Sequence, residues 1–319
     1  MIKPTVLFSR CLGFEACRWN GETIHDNTVE KLKPWVEAIT ICPEKEIGLG
    51  IPRDPIRIIE RAGAHCLIQP SSARDITEEM QTFSRQFLSR PPKLDGALLK
   101  HRSPSCGIAD VKLYADQENR PPQGKTSGFF ARELIKRYPL LPLEDEGRLK
   151  NYQIRETFFT RIFTLARFRE AQMSGDMKDL IEFQAAHKLL LLSFNITKLR
   201  ILGRIVANHE KLPLPTVWTN YGNELMVALH KPPRFTNNIN VLMHAFGYFS
   251  NVLTSSEKAF FLHTLDTYRN GKTPLSVSAY LLQSWIIRFN EPYLSKQIFF
   301  QPFPAELTEI TDSGKGRDT

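Results

Sequence analysis

No cysteine follows residue 106 in this 319-residue chain, and no C-x2-C pair occurs anywhere in it. That spacing speaks against the common structural zinc knuckle and against the usual dithiol redox motif. No run of about 18 apolar residues exists, so no segment reads as a membrane span. The opening Met1-Ile2-Lys3-Pro4-Thr5 runs straight into a short apolar stretch and lacks the long apolar region of a secretion signal. The expected compartment is therefore the cytoplasm. No long basic run accompanies the net charge of +8. Residues 1–150 hold 23 Lys+Arg against 20 Asp+Glu, and residues 151–319 hold 19 against 14, so the excess is spread along the chain. Such a distribution permits an anionic partner such as RNA without demanding one. No internal repeat is visible. A hydrophobic content of 42% and a charged content of 24% are ordinary for a folded globular chain, and the length suggests two domains.

The chain does have five cysteines, Cys11, Cys17, Cys42, Cys66 and Cys106, all in its first third. An odd count in an expected cytosolic protein argues against a disulfide framework. Clustering points instead to a metal, a cluster or a reactive thiol.

The first half alternates short apolar runs with helical patterns. Thr5–Phe8, Ala38–Ile41, His65–Gln69 and Gly96–Lys100 read as strands. Asp75 starts a helix whose apolar face carries Ile76, Met80, Phe83 and Phe87, and Pro91-Pro92 ends it. Ser127–Tyr138 reads as a second amphipathic helix. This alternation predicts an α/β domain, an open and mainly parallel sheet with flanking helices. From about Tyr152 the period becomes helical, with helices over 180–192, 223–229, 238–253, 256–270 and 279–289, which predicts an all-α C-terminal domain. The boundary is expected after the acidic Glu144-Asp145-Glu146, giving domains over 1–147 and 148–306 and a disordered tail over 307–319.

Three cysteines occupy equivalent places. Cys11 follows the first strand by three residues, Cys42 follows the second directly, and Cys106 follows the Gly96–Lys100 strand by six. Ligands of open parallel sheets bind beyond the carboxyl ends of the strands, so three thiolates delivered there converge on one object. Cys17 shares the loop of Cys11, and Cys66 lies inside an apolar run, where a free thiol packs as a small hydrophobe. Spacing alone leaves a metal, a cluster and scattered structural cysteines all open. Glu44, two residues after Cys42, and the hydroxyls of Ser103 and Ser105 beside Cys106 supply acid–base groups next to candidate ligands. The bland alternative is that both serines merely cap a turn. Arg18 and Arg53 are read as surface cations, or as partners of an anionic substrate or a nearby carboxylate. In the helical half, His187, His244, Trp285 and the Phe158-Phe159 pair are candidates for a site, with core packing as the simpler reading.

Ser9-Arg10-Cys11-Leu12-Gly13, Cys17-Arg18-Trp19-Asn20-Gly21, Cys42-Pro43-Glu44 and His101-Arg102-Ser103-Pro104-Ser105-Cys106-Gly107 resemble, in order and spacing, the thiouracil desulfidase (TudS-like) family over roughly residues 4–147. The remainder is similar to the YbgA-like helical domain, through Phe183 with His187-Lys188, Leu202-Gly203-Arg204, Asn240-Val241-Leu242, Gly247-Tyr248-Phe249, Tyr268-Arg269 and Pro292-Tyr293-Leu294. The resemblance to a fused bacterial form implies a [4Fe-4S] cluster on Cys11, Cys42 and Cys106, with Cys17 in reserve. It also implies a thiolated pyrimidine as substrate, hydrolytic loss of sulfur as sulfide, and acid–base help from Glu44 and Ser103. Two positions depart from the family: Asn20 stands where an aspartate is frequent, and Met243 where a glutamine is. Two other classes compete with this reading. One is a metal-holding binding or maturation module whose helical half contacts a partner or RNA, and the other is a zinc-site protein with an ordinary hydrolase outcome.

Overall fold

The computed structural model describes residues 2–89, 93–116, 118 and 120–311. The chain divides into two compact units, Met1–Ala166 with Glu306–Thr319, and Arg167–Ala305.

Among the described residues, the first unit is built on nine strands, β1 (Thr5–Ser9), β2 (Glu37–Ile41), β3 (Arg57–Arg61), β4 (Ala64–Gln69), β5 (Arg74–Asp75), β6 (Gly96–Leu99), β7 (Val111–Tyr114), β8 (Gly124–Thr126) and β9 (Leu143–Asp145). Its helices are α1 (Asn27–Leu32), α2 (Pro43–Glu46), α3 (Thr77–Ser89), α4 (Phe129–Arg137) and the start of α5 (Tyr152–Ser174). One sheet has the order β2-β1-β6-β9, with every pair parallel. The central β1 and β6 are buried throughout, as parallel strands covered on both faces must be, and this explains their uninterrupted apolar sequence. α3 and α4 pack Leu88, Phe130 and Leu134 against Leu7, Ala97 and Leu99. At Gly96 a Cβ would come within 2.5 Å of Ile162 and 3.5 Å of Phe158, so glycine is what lets α5 lie close to β6.

The order reverses at β1: the chain steps to β2 on one side and later to β6 on the other. A crevice for ligands opens beyond the carboxyl ends at such a switch point. The strand predicted at 65–69 forms, as β4, but not in this sheet. It belongs to a second sheet of order β5-β4-β3-β7-β8, mostly antiparallel, with one parallel pair between β3 and β7. The reason is local: β3 and β4 are joined by Ala62-Gly63, both at positive φ, a tight turn that folds the two strands into a hairpin. The predicted helix end at Pro91-Pro92 lies outside the described residues.

The second unit holds the end of α5 and six further helices: α6 (Met177–Phe194), α7 (Ile196–Ala207), α8 (Leu214–Leu229), α9 (Phe235–Gly247), α10 (Ser255–Arg269) and α11 (Leu275–Arg288). α10 starts with a capping box: Thr254 accepts from Glu257 N while Glu257 accepts from Thr254 N. Phe168, Phe183, Trp218 and Tyr221 interlock in one aromatic cluster, and Phe246, Phe249, Phe261 and Trp285 in another. Residues 307–311, expected to be part of a disordered tail, pack on the first unit instead. Leu307 is buried, Lys31 pairs with Glu309, and Arg155 donates to the carbonyls of Glu309 and Thr311. The remainder of the expected tail, 312–319, lies outside the described residues. Among the described residues, no helix is long and apolar enough to cross a membrane.

Candidate active site

Three chain segments leave the carboxyl ends of β1, β2 and β6 and meet in the crevice. After β2, Cys42 is the N-cap residue of α2 and Pro43 takes the first helical position, where its fixed φ and missing N–H cost nothing. Glu44 therefore sits in the first turn, buried. After β6, the 103–107 segment is folded back on itself by the Ser103 hydroxyl, which accepts from Ser105 N at 3.3 Å and Cys106 N at 3.1 Å. The same segment caps α4, because the carbonyl of Ser105 accepts from Phe130 N and Ala131 N and that of Pro104 from Phe129 N. The otherwise unpaired first-turn donors of that helix are satisfied in this way.

The thiols gather accordingly. Cys17 is fully buried, and its thiol lies close enough to those of Cys11 and Cys42 for both to act on its titration. Its carbonyl lies 3.8 Å from Cys42 Sγ. Cys42 and Cys106 are buried and act on each other electrostatically, whereas Cys11 is partly exposed. The contact with Cys11, followed by burial, pushes the Cys17 thiol up to about 11. The contact with Cys17 and burial push Cys42 far up. Burial pushes Cys106 up to about 12, while the hydroxyls of Ser9 and Ser105 pull the other way by hydrogen bonding to its sulfur. Cys66, expected to be buried packing, is only partly buried, on β4 of the other sheet opposite Ile59. Among the described residues, no three His, Cys, Asp or Glu side chains are assembled as a site for a single metal ion.

The donor set does fit a soft group. Its members are sulfur only, they come from three separate segments, and Cys17, Cys42 and Cys106 are raised toward the protonated form. A bound soft cation would replace their protons and repay the cost of burying thiolates.

Beside the thiols lies one carboxylate with its oxygens divided. Glu44 Oε1 accepts from Ser105 Oγ at 2.7 Å and stands 3.5 Å from Ser103 Oγ. Glu44 Oε2 accepts from Arg53 Nε at 2.8 Å and lies 2.6 Å from Arg53 Nη2. The two serine hydroxyls are 2.9 Å apart. The family resemblance implied acid–base roles for Glu44 and Ser103; the shorter of the two serine bonds to Glu44 is that of Ser105, which is buried. Arg53, read from sequence as a surface cation or a partner of some anion, is the partner of Glu44. Ser105 was visible as a second hydroxyl in the same motif, whereas nothing in the spacing of Ser9 announced its contact with Cys106. Asn20 donates to Glu22 at 2.6 Å, a bond that an aspartate there would replace with repulsion.

The candidates of the helical half have different surroundings. His187 is buried, stacks on Phe183 with centroids 3.9 Å apart and donates Nδ1–H to the Phe183 carbonyl. Trp285 and the Phe158–Phe159 pair are buried packing positions, and His244 is exposed on α9.

An open parallel sheet that gathers thiols and a clamped carboxylate beyond its carboxyl edge defines an α/β domain equipped for chemistry on a soft ligand. The 2-thiouracil desulfurase family matches residues 6–146, and a family of unknown function, DUF1722, matches residues 188–304. The chain is 33% identical over 109 residues to the uncharacterized protein YbbK of Bacillus subtilis, covering 32% of this chain and 72% of that protein. It is 28% identical over 149 residues to the uncharacterized protein YbgA of Escherichia coli, covering 46% of this chain and 88% of that one. A solved structure, the [4Fe-4S]-dependent thiouracil desulfidase TudS, aligns with TM-score 0.36 and 25% identity, over 46% of this chain and 93% of that chain. The chain belongs to the 2-thiouracil desulfurase family through its first unit and carries a YbgA-like region after it.

Proposed function

We propose that this protein removes sulfur from a thiolated pyrimidine by hydrolysis, exchanging C=S for C=O and releasing sulfide. The observation that carries this reading is the Glu44 carboxylate, held on both oxygens and set beside a cluster of buried thiols. Cys11, Cys42 and Cys106 are the proposed holders of a [4Fe-4S] group, with Cys17 as the reserve. When bound, that group supplies an open iron that draws electron density from a soft thiocarbonyl sulfur.

The protein's own residues supply the remainder. Glu44 takes a proton from water as its oxygen adds to the thiocarbonyl carbon. Ser103, less buried than Ser105, stands at the exposed end of the hydroxyl pair and passes the proton taken up by Glu44 on to sulfur as the C–S bond breaks. The adduct's remaining hydroxyl proton returns to Glu44 as C=O forms, so thiocarbonyl and water give carbonyl, HS⁻ and one proton. The two electrons of the C–S bond leave with sulfur, so no oxidant or reductant is consumed.

The test is anaerobic reconstitution followed by iron and acid-labile sulfide analysis, a visible spectrum, and a sulfide-release assay on 2- and 4-thiouracil. Loaded protein should release one sulfide per uracil formed. Stoichiometric zinc with no labile sulfide, or fully loaded protein that is inert on both thiouracils, would overturn the reading.

A further inference from the structure

Arg53 uses its donors in a way that assigns it a task. Its side chain is 4% exposed. Nε and Nη2 both reach Glu44 Oε2, at 2.8 and 2.6 Å. Nη2 also donates to the Cys17 carbonyl at 3.1 Å and lies 4.0 Å from Cys42 Sγ. Nη1 donates to the Gly50 carbonyl at 3.0 Å, and the backbone N–H of Arg53 donates to the Trp19 carbonyl at 2.8 Å. A guanidinium has five N–H groups in a fixed fork, and four of these are committed to protein acceptors. No pair of parallel donors is left for a substrate anion.

We infer that Arg53 is a positioning residue, which sets Glu44 and ties the Cys17 loop to Cys42. Holding Oε2 leaves Oε1 turned toward Ser105 and Ser103, so the carboxylate keeps one rotamer against the hydroxyl pair. The same fork joins the 17–22 loop, the 50–53 loop and the start of α2, and this fixes where the carboxylate stands relative to two thiols. A lysine carries the same charge as a compact point with three donors and no planar fork, so it cannot span these acceptors. The role in catalysis rests on the proposed use of Glu44, whereas the tie to the Cys17 loop does not.

The experiment uses the full chain and compares Arg53→Gln, Arg53→Lys, Glu44→Gln and the Arg53→Gln/Glu44→Gln double variant, with the exposed Arg61→Gln as control. In anaerobically loaded protein, Arg53→Lys should hold iron and labile sulfide at the parent level. Arg53→Gln should lower kcat on 2-thiouracil by about 100-fold, with KM changed by less than about threefold. Arg53→Lys should fall between the two. Added to Glu44→Gln, the Arg53→Gln change should cost less than about another twofold, because it acts through a carboxylate already removed. In metal-free protein, alkylation of Cys17 by iodoacetamide, followed by mass spectrometry, should be about tenfold faster in Arg53→Gln than in the parent or Arg61→Gln. If Arg53→Gln does not fold, Arg53→Lys carries both readouts with smaller changes. Losses in kcat that multiply in the double variant, or Cys17 alkylation equal to the parent, overturn the inference. An inactive parent with faster Cys17 alkylation in the variant keeps Arg53 as the tie between the loops and sinks the desulfidase reading instead.

Discussion

Cys17 and Cys66 show what sequence can and cannot say about a single residue. Both were set apart from Cys11, Cys42 and Cys106, one as a reserve and one as packing. Cys17 proves fully buried, with its thiol against two others, while Cys66 lies half-covered on a strand of the other sheet. Position after a strand end was legible, because strand ends follow from apolar runs. Which loop residue turns inward was not, because the 10–18 loop is shaped by its own backbone bonds, such as Ile24 N to the Cys11 carbonyl and Cys17 N to the Glu15 carbonyl. Ser105 was legible as a hydroxyl beside Cys106, and Arg53 as a cation for a substrate anion or a nearby carboxylate, but which groups pair was not. Their partner Glu44 is 61 and 9 residues away, and only the fold brings the three together. The proposed ligand set yields a residue-level prediction. After anaerobic reconstitution, Cys42→Ala and Cys106→Ala should retain less than about a tenth of the parent iron, since losing a ligand removes kcal/mol-scale binding. Cys66→Ala should retain all of it. Iron at the parent level in either of the first two variants overturns the assignment, and comparing Cys11→Ala with Cys17→Ala decides which of that pair is the third ligand.

Among the elements, the parallel sheet and the helices on it were the most legible, because buried parallel strands carry unbroken apolar sequence and α3 and α4 show clear apolar faces. The second sheet was the least, because β5 and β8 are two and three residues long and their pairing is decided by neighbours. α7 was missed, although Leu199, Leu202, Ile205 and Val206 are partly or fully covered at helical spacing; Ile196 is exposed and Gly203 interrupts the run of helix formers. The capping of α4 by the 103–107 segment makes glycine necessary at one further position. A Cβ on Gly128 would stand 2.5 Å from the Ser105 carbonyl oxygen and 2.8 Å from that of Ser103, and both are backbone atoms that cannot step aside. Gly203, inside α7, has open space around its Cβ position and ordinary helical φ. Gly128→Ala should therefore destabilise the protein by about 1–3 kcal/mol. It should also loosen iron retention, because the Cys106 segment must move. Gly203→Ala should stabilise by roughly 0.5–1 kcal/mol by restricting the unfolded chain and favouring the helix. Denaturant midpoints of the two variants should move in opposite directions, and the argument fails if they move together.

At the scale of the whole molecule, the change from alternating to helical periodicity near Tyr152 was legible as a change of architecture, and each unit has its own buried core. What composition hid is how the two respond to acid. In the first unit Glu156 is half-buried, and desolvation raises its carboxyl above its ordinary value. In the second, burial pushes His187 down to about 3. The signs are opposite. A folded chain that binds a proton more tightly than the unfolded chain is stabilised below the ordinary value of the group and loses that as pH rises, which is the case for Glu156. His187 is the reverse: the unfolded chain takes up a proton near its ordinary value of 6.5, while the folded chain stays neutral until about 3. Its contribution is complete above about pH 6.5 and is lost progressively as pH falls toward 3, with a slope of up to about 1.4 kcal/mol per pH unit from this one group. His187→Phe keeps a ring against Phe183 and removes the titration, at the cost of the hydrogen bond to the Phe183 carbonyl. The variant should melt lower than the parent at pH 7.5, but its midpoint should fall less steeply between pH 6.5 and about 4.5, so the two curves converge as acid is added. Thermal unfolding followed by circular dichroism across that range checks it. Parallel curves would mean that the unfolded chain gains no proton that the folded chain refuses, and that His187 is not the acid-sensitive element of the helical unit.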